Sequence, residues 1–249
     1  MRILISNDDG IYSPGLVALA RVAAKFGDVR IVAPDVEQSS KSHSITSSRP
    51  LRYRRASLPG FEAYRVDGTP ADCVALGIYK WDKVDLVVSG INLGPNLGNA
   101  IWHSGTLAAA KQAALHGIRG IAFSTPVVED EPDFRIIEGW AEKALEVLLP
   151  HQQLPLVNVN IPPEPKGLSW TCQSFRHYDG KIVPGRDPMG RDHFWYTVIP
   201  IEQVEPESDR WAMTRGMVSI TPLRLDLTDQ ELLADVEKRH PLAPPRTMA

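Results

Sequence analysis

Short apolar runs alternate with helical signals through the first two-thirds of the chain. Residues 3–5, 29–33, 84–89, 118–124 and 156–161 are compact and nearly continuous in apolar side chains. That is the pattern of strands buried on both faces. Residues 51–55 and 63–66 read as two further strands. Between the runs lie helix starts. Ser13-Pro14-Gly15 offers a cap and a proline for a helix over 15–26, with Leu16, Leu19, Ala20 and Ala23 on one face. Thr69 and Pro70 begin a second helix, to about residue 79. "TLAAAKQAALH", residues 106–116, is the strongest helix former and is stopped by Gly117. Residues 134–149 are amphipathic. This order predicts an α/β fold, a mostly parallel sheet with helices on both faces.

The texture changes near residue 163. Proline, aromatic and charged residues mix, with β-like runs at 169–173, 193–200 and 217–222. A last helix is expected over 226–237, capped by Thr228, followed by a tail, 240–249, that is frayed or docked on a partner. The chain therefore divides into an α/β core, residues 1–165, and a β-rich C-terminal extension, 166–249, integrated with it. The long extension and proline-rich tail point to at least a dimer.

Composition narrows the function. The chain has 249 residues, 43% hydrophobic and 23% charged, with a net charge of −3 and no Lys/Arg block. A nucleic-acid polymer held by bulk charge is not favoured. The two cysteines, Cys73 and Cys172, form no CxxC pair. This argues against a zinc ribbon and for a reducing, cytoplasmic setting. The N-terminal apolar run is too short for a signal peptide, and no stretch approaches the ~20 apolar residues of a membrane helix.

In open parallel sheets, ligands sit at the carboxyl ends of the strands. After the first strand come Asn7, Asp8, Asp9 and Gly10; after the second, Asp35 and then Gln38-Ser39-Ser40; after the central strand, Asn92, Asn96 and His103-Ser104-Gly105-Thr106. Adjacent carboxylates repel. Either one caps a turn and the other is solvated, or a divalent cation offsets the repulsion. Oxygen-only donors suit Mg²⁺ or Mn²⁺, and Asp8, Asp9, Ser39 and Asn92 would supply them. The Gly/Asn-rich loop 90–103 runs into the Ala-rich helix, whose N-terminus attracts anions. Ser104 and Thr106 add hydroxyls there, although simple capping explains one of them. A carboxylate pair suited to a cation, beside an anion cradle, implies a metal-bound phosphate ester.

Other phosphate motifs fit poorly. GxxxxGK[ST] and GxGxxG are absent. A receiver-type domain would need an Asp after the central strand, where this chain has Ser89-Gly90-Ile91-Asn92. His43 and His103 lie in the site-like loops as accessory candidates, as does Asn7, although a lone His is more often structural. "GTPADC" is explained by helix initiation and Cys73 by packing. Arg186, Asp187 and Arg191 either contact substrate or form a charged turn.

Taken together, "ILISNDDG", "VAPDVEQSS", "GTPADCV", "VVSGINLGPNLGNAIWHSGT", "GRDP" and "VSITPL" resemble the SurE, or survival protein E, family of 5′/3′-nucleotidases. The matching motifs span residues 2 to about 225. The resemblance implies a Rossmann-like core with a C-terminal extension used in dimer or tetramer formation. It implies hydrolysis of nucleoside monophosphates, extending to short polyphosphate, with one Mg²⁺ or Mn²⁺ per subunit. By position it makes Asp8, Asp9, Ser39 and Asn92 the metal ligands, with Asp8 or Asp9 handling the attacking water. Asn96, Ser104, Gly105 and Thr106 become the phosphate group. The family often has an acid at Asn99 and Tyr at His103. A nucleotide-binding or receiver-like sensor without turnover is the alternative, and a dehydrogenase with an unusual cofactor loop a weaker third.

Overall fold

The computed structural model describes residues 1–127 and 132–242. Eleven strands and six α-helices follow in chain order: β1 (Arg2–Ser6), α1 (Pro14–Ala23), β2 (Asp28–Pro34), β3 (Tyr53–Leu58), β4 (Phe61–Val66), α2 (Pro70–Lys80), β5 (Leu86–Leu93), α3 (Gly105–Leu115), β6 (Arg119–Thr125), α4 (Phe134–Leu148), β7 (Leu156–Asn160), β8 (Gly167–Trp170), β9 (Tyr178–Arg186), β10 (Asp192–Pro200), α5 (Asp209–Thr214), β11 (Met217–Leu223) and α6 (Gln230–Arg239). A short 3-10 turn, Gly98–Trp102, precedes α3.

Nine strands form one sheet in the order β3-β4-β2-β1-β5-β6-β7-β11-β8. The run from β4 to β7 is parallel, while β3 and β11 enter antiparallel at either side. The mostly parallel α/β sheet expected from the apolar runs is therefore present. Its alternation is visible within β1. Ile3 and Ile5 join a core cluster with Leu16 and Leu19 of α1 and Ile137 and Ala141 of α4. Leu4, between them, packs with Val74 of α2 and with Ala109 and Ala113 of α3. Period-two side chains feed two helical layers.

The extension does not stand apart. β8 and β11 complete the main sheet, and only β9 and β10 leave it, as a separate antiparallel hairpin. Two elements differ from the sequence reading by their absence from it. β9 carries glycine, proline and charge, a composition without strand signal, and is held by full pairing with β10. α5 is six residues long, too short for helical periodicity to register. Other boundaries shift. α1 ends at Ala23 rather than 26, the first edge strand runs 53–58 rather than 51–55, and α6 starts at 230. Asp229, not Thr228, caps α6, its carboxylate accepting from Leu232 N. Ser13 occupies the cap position of α1 without a side-chain hydrogen bond. The tail expected at 240–249 lies outside the described residues beyond 242. Among the described residues, no helix is long and apolar enough to cross a membrane.

The start of α2 repays the sequence's attention to "GTPADC". Thr69 Oγ1 accepts from Asp72 N at 3.2 Å, and Asp72 returns the bond to Thr69 N at 2.9 Å. The other Asp72 oxygen accepts from Thr46 N at 3.0 Å, so this capping box also ties down the long loop after β2. Cys73 behind it is fully buried, which pushes its thiol pKa well up. Asp72→Ala should destabilise the chain by about 1–3 kcal/mol, since it removes a cap and leaves buried donors unpaired. Urea unfolding that shows no loss against the parent chain would contradict this account.

Candidate active site

β1 delivers its polar residues to the C-terminal edge of the sheet. Asn7 closes the turn that follows: its Nδ2 donates to Gly10 O at 3.0 Å, and its Oδ1 accepts from Gly10 N at 3.2 Å. Asn7 is fully buried, so its side chain serves the turn and not a ligand. The turn presents Asp8 and Asp9. Asp8 is buried, and its Oδ1 accepts from Thr106 Oγ1 at 2.6 Å. Asp9 is half-buried, and its nearest donor is Leu93 N at 3.4 Å.

No salt bridge among the described residues involves either carboxylate. Burial therefore dominates their chemistry. It raises the Asp8 pKa, partly opposed by the Thr106 hydrogen bond. Burial, then the Asp8 charge, pushes Asp9 up to about 6. Glu37 adds repulsion to both. Concentrated negative charge without a basic partner is what a cation relieves. Among the described residues no cluster of three or more His, Cys, Asp or Glu forms a metal cage, so a cation would need neutral oxygens as well. Asn92 Nδ2 donates to Gly94 O at 2.6 Å, which leaves its Oδ1 free. Ser39 is exposed, its hydroxyl donating to Glu37 Oε1 at 2.5 Å.

The opposite wall is the start of α3. Ser104 is its N-cap, with Oγ accepting from Leu107 N at 3.0 Å; its hydroxyl hydrogen remains available. Gly105 lies against Asp8, and a Cβ there would sit 2.7 Å from Asp8 Cβ, so only glycine allows the helix to come this near. Thr106 is fully buried and committed to Asp8. Its backbone N–H also acts on the Asp8 carboxylate, opposing the rise in that group's pKa. Asn96 is likewise braced inside. Its Nδ2 donates to Ser124 Oγ at 2.8 Å, its N to Asn160 Oδ1 at 2.8 Å, and its carbonyl accepts from Asn158 Nδ2 at 2.8 Å and Asn160 Nδ2 at 3.0 Å.

An open cavity of about 190 Å³ is lined by Asp8, Ser39, Asn92, Asn96, His103 and Ser104 among others, whereas Asp9, Gly105 and Thr106 are not among its lining residues. His43 is not among its lining residues. It is bonded to Gln112 at 2.8 Å and lines a larger, mainly apolar cavity with Trp102 and Lys111. Arg186, Asp187 and Arg191 close the β9–β10 turn, Arg191 pairing with Asp187 at 2.7 Å. The sequence reading passed over several residues. Glu37 was visible two positions before Ser39. Asn158 and Asn160 stood out as polar residues inside an apolar strand. Tyr178, which also lines the cavity, gave no sequence signal.

A family model described as Survival protein SurE matches residues 3–180. The chain is 48% identical over 235 residues to 5′-nucleotidase SurE 1 of Thermus thermophilus, covering 92% of this chain and 93% of that protein. It is 42% identical over 251 residues to 5′-nucleotidase SurE of Deinococcus radiodurans, covering 96% and 93%. The crystal structure of the SurE protein from Aquifex aeolicus superposes with a TM-score of 0.83 at 37% identity, covering 96% of this chain and 99% of that one.

The raised carboxyls carry a sign. The folded, metal-free chain binds more protons at this pair than the unfolded chain, whose Asp lies near 3.8. Its stability should therefore fall as pH rises from about 4 through about 6. Asp9→Asn removes part of this penalty. The variant's melting temperature, measured in EDTA, should gain on the parent's between pH 5 and pH 8. Parallel melting curves across that range would refute the electrostatic reading.

Proposed function

Because the chain belongs to the SurE family, we propose that it is a 5′-nucleotidase that hydrolyses nucleoside monophosphates to nucleoside and phosphate with a divalent cation. The observation that carries the reading is the juxtaposition of an uncompensated Asp8–Asp9 pair with the N-terminus of α3, joined by the Thr106–Asp8 hydrogen bond. One side suits a cation and the other a phosphate. Asp8, Asp9, Ser39 and Asn92 would hold one Mg²⁺ or Mn²⁺ per subunit, an all-oxygen set that fits such hard ions. When bound, the cation would polarise the phosphoryl group and offset its developing charge.

The chain's own groups then do the rest. The Gly105 N–H and the Ser104 hydroxyl receive phosphoryl oxygens at the positive end of α3, which Thr106 anchors to Asp8. Asp9 takes the proton of the attacking water. Asp8 is a poorer candidate because its Oδ1 is committed to Thr106, whereas Asp9 has only the long Leu93 contact. His103 lines the cavity, which supports it as the proton donor to the departing nucleoside oxygen. A sensor without turnover loses support because the relatives are named as enzymes. The unpaired cysteines favour a reducing cytoplasm.

Self-association into a homodimer or homotetramer is supported by the exposed extension. The β9–β10 hairpin exposes Ile182, Phe194, Trp195, Tyr196 and Val198, and α6 exposes Leu232, Leu233 and Val236. An isolated two-stranded hairpin is marginal in water, and apolar area on this scale marks an interface.

Two outcomes are expected. Phosphate release from AMP should vanish with EDTA and return with Mn²⁺ or Mg²⁺, and Asp9→Asn should lower kcat at least about a hundredfold, the lower end of general-base and electrostatic effects. Full metal-dependent turnover by the variant would remove Asp9 from the site. In sedimentation velocity, Trp195→Asp should shift the assembly to a smaller species; an unchanged coefficient would exclude the hairpin from the interface.

A further inference from the structure

The catalytic cavity is small for a whole nucleotide. At about 190 Å³ it falls below the roughly 300–1,000 Å³ of pockets that enclose small ligands entirely. A cavity of that size has room for the phosphate end of a substrate, so a nucleoside would lie at its rim. Among the described residues, Tyr178 is the one lining residue contributed by the extension, and it carries the only phenol ring of the lining.

Its placement is specified closely. Asn99 spends both ends of its amide on this segment: Oδ1 accepts from His177 N at 2.7 Å and from Tyr178 N at 3.4 Å, and Nδ2 donates to Tyr178 O at 3.1 Å. Beside it, Gln173 Nε2 donates to Gly98 O at 3.1 Å, and Gly98 N donates to Asp209 Oδ2 at 2.9 Å. Asp209 is fully buried and also accepts from Ser174 N at 3.0 Å. Gly98, at φ +51°, lets the strands of chain meet, since a Cβ there would lie 3.1 Å from His177 N. Segment 173–178 is thus fastened to residues 98–99, two positions beyond Asn96. These bonds fix the backbone of a tyrosine that is itself only half-buried, outside the hydrophobic clusters.

We propose that Tyr178 stacks against the base of the substrate and that Asn99 is the positioning residue that holds it there, a step that rests on the nucleotidase reading. An aromatic platform accepts any base, because every base has a π-face. The contact would select nucleoside phosphates, purine and pyrimidine alike, over phosphate monoesters without a ring to stack.

Steady-state kinetics on AMP and on ribose 5-phosphate test this. Tyr178→Ala should raise KM for AMP about tenfold, the scale of one lost base–aromatic stack, while leaving KM for ribose 5-phosphate and both kcat values nearly unchanged. Tyr178→Phe should behave as the parent. Asn99→Ala should reproduce the AMP-specific loss, and Asn99→Asp, which keeps the acceptor for both N–H groups, should recover most of it. An unchanged AMP KM in Tyr178→Ala, or an equal rise for both esters, overturns the contact. An Asn99→Ala variant that loses melting temperature without an AMP-specific KM effect overturns the positioning role; should it not fold, the two Tyr178 variants decide. A parent chain that hydrolyses neither ester with added Mn²⁺ overturns the nucleotidase reading, and the stack with it.

Discussion

The burial of two adjacent carboxylates, Asp8 and Asp9, is the constraint around which the site is arranged. Two carboxylates leave a buried strand together, and among the described residues no basic residue is paired to either. Burial favours their neutral forms, and the fold answers with one strong neutral bond, Thr106 to Asp8, rather than with a salt bridge. A cationic partner from the chain would settle the charge permanently and leave no role for an exchangeable ion. A hydroxyl holds the geometry and leaves the charge unspent.

That single hydrogen bond also joins the two halves of the site. Thr106 stands in the first turn of α3, so anchoring Asp8 to it sets the distance between acidic pair and anion cradle. Gly105 allows this approach by having no side chain. Asn96 is then held by Asn158 and Asn160 of β7, two strands along the sheet from β5. Buried amides in that number are costly unless nearly all are paired, and their pairing makes the loop after β5 rigid. Preorganised donors need no rearrangement as charge develops.

The extension is both part of the sheet and part of the site. β8 and β11 widen the sheet, whereas β9 and β10 project from it with their apolar side chains uncovered. Just before the hairpin departs, segment 173–178 is tied to the turn beside the phosphate loop. The hairpin therefore begins at Tyr178, on the wall of the cavity lined by Asp8.

By itself the sequence determined the α/β layering, since continuous apolar runs separated by capped helices have few other ways to bury both faces. It also disclosed the acidic pair and the Gly-rich start of α3, because those signals are contiguous. It did not disclose β9, whose Gly, Pro and Asp residues become a strand only through pairing with β10, nor α5, which is shorter than the period that would reveal it. Only the tertiary structure separated His43 from His103, putting the first beside Gln112 and the second on the cavity lined by Asp8. It alone turned Thr106 inward to Asp8 and brought Tyr178 to Asn99 across a long stretch of chain. Periodicity is local and can be read along a sequence, whereas the partner of a buried hydroxyl or amide is chosen by which strands and helices the folded sheet sets side by side.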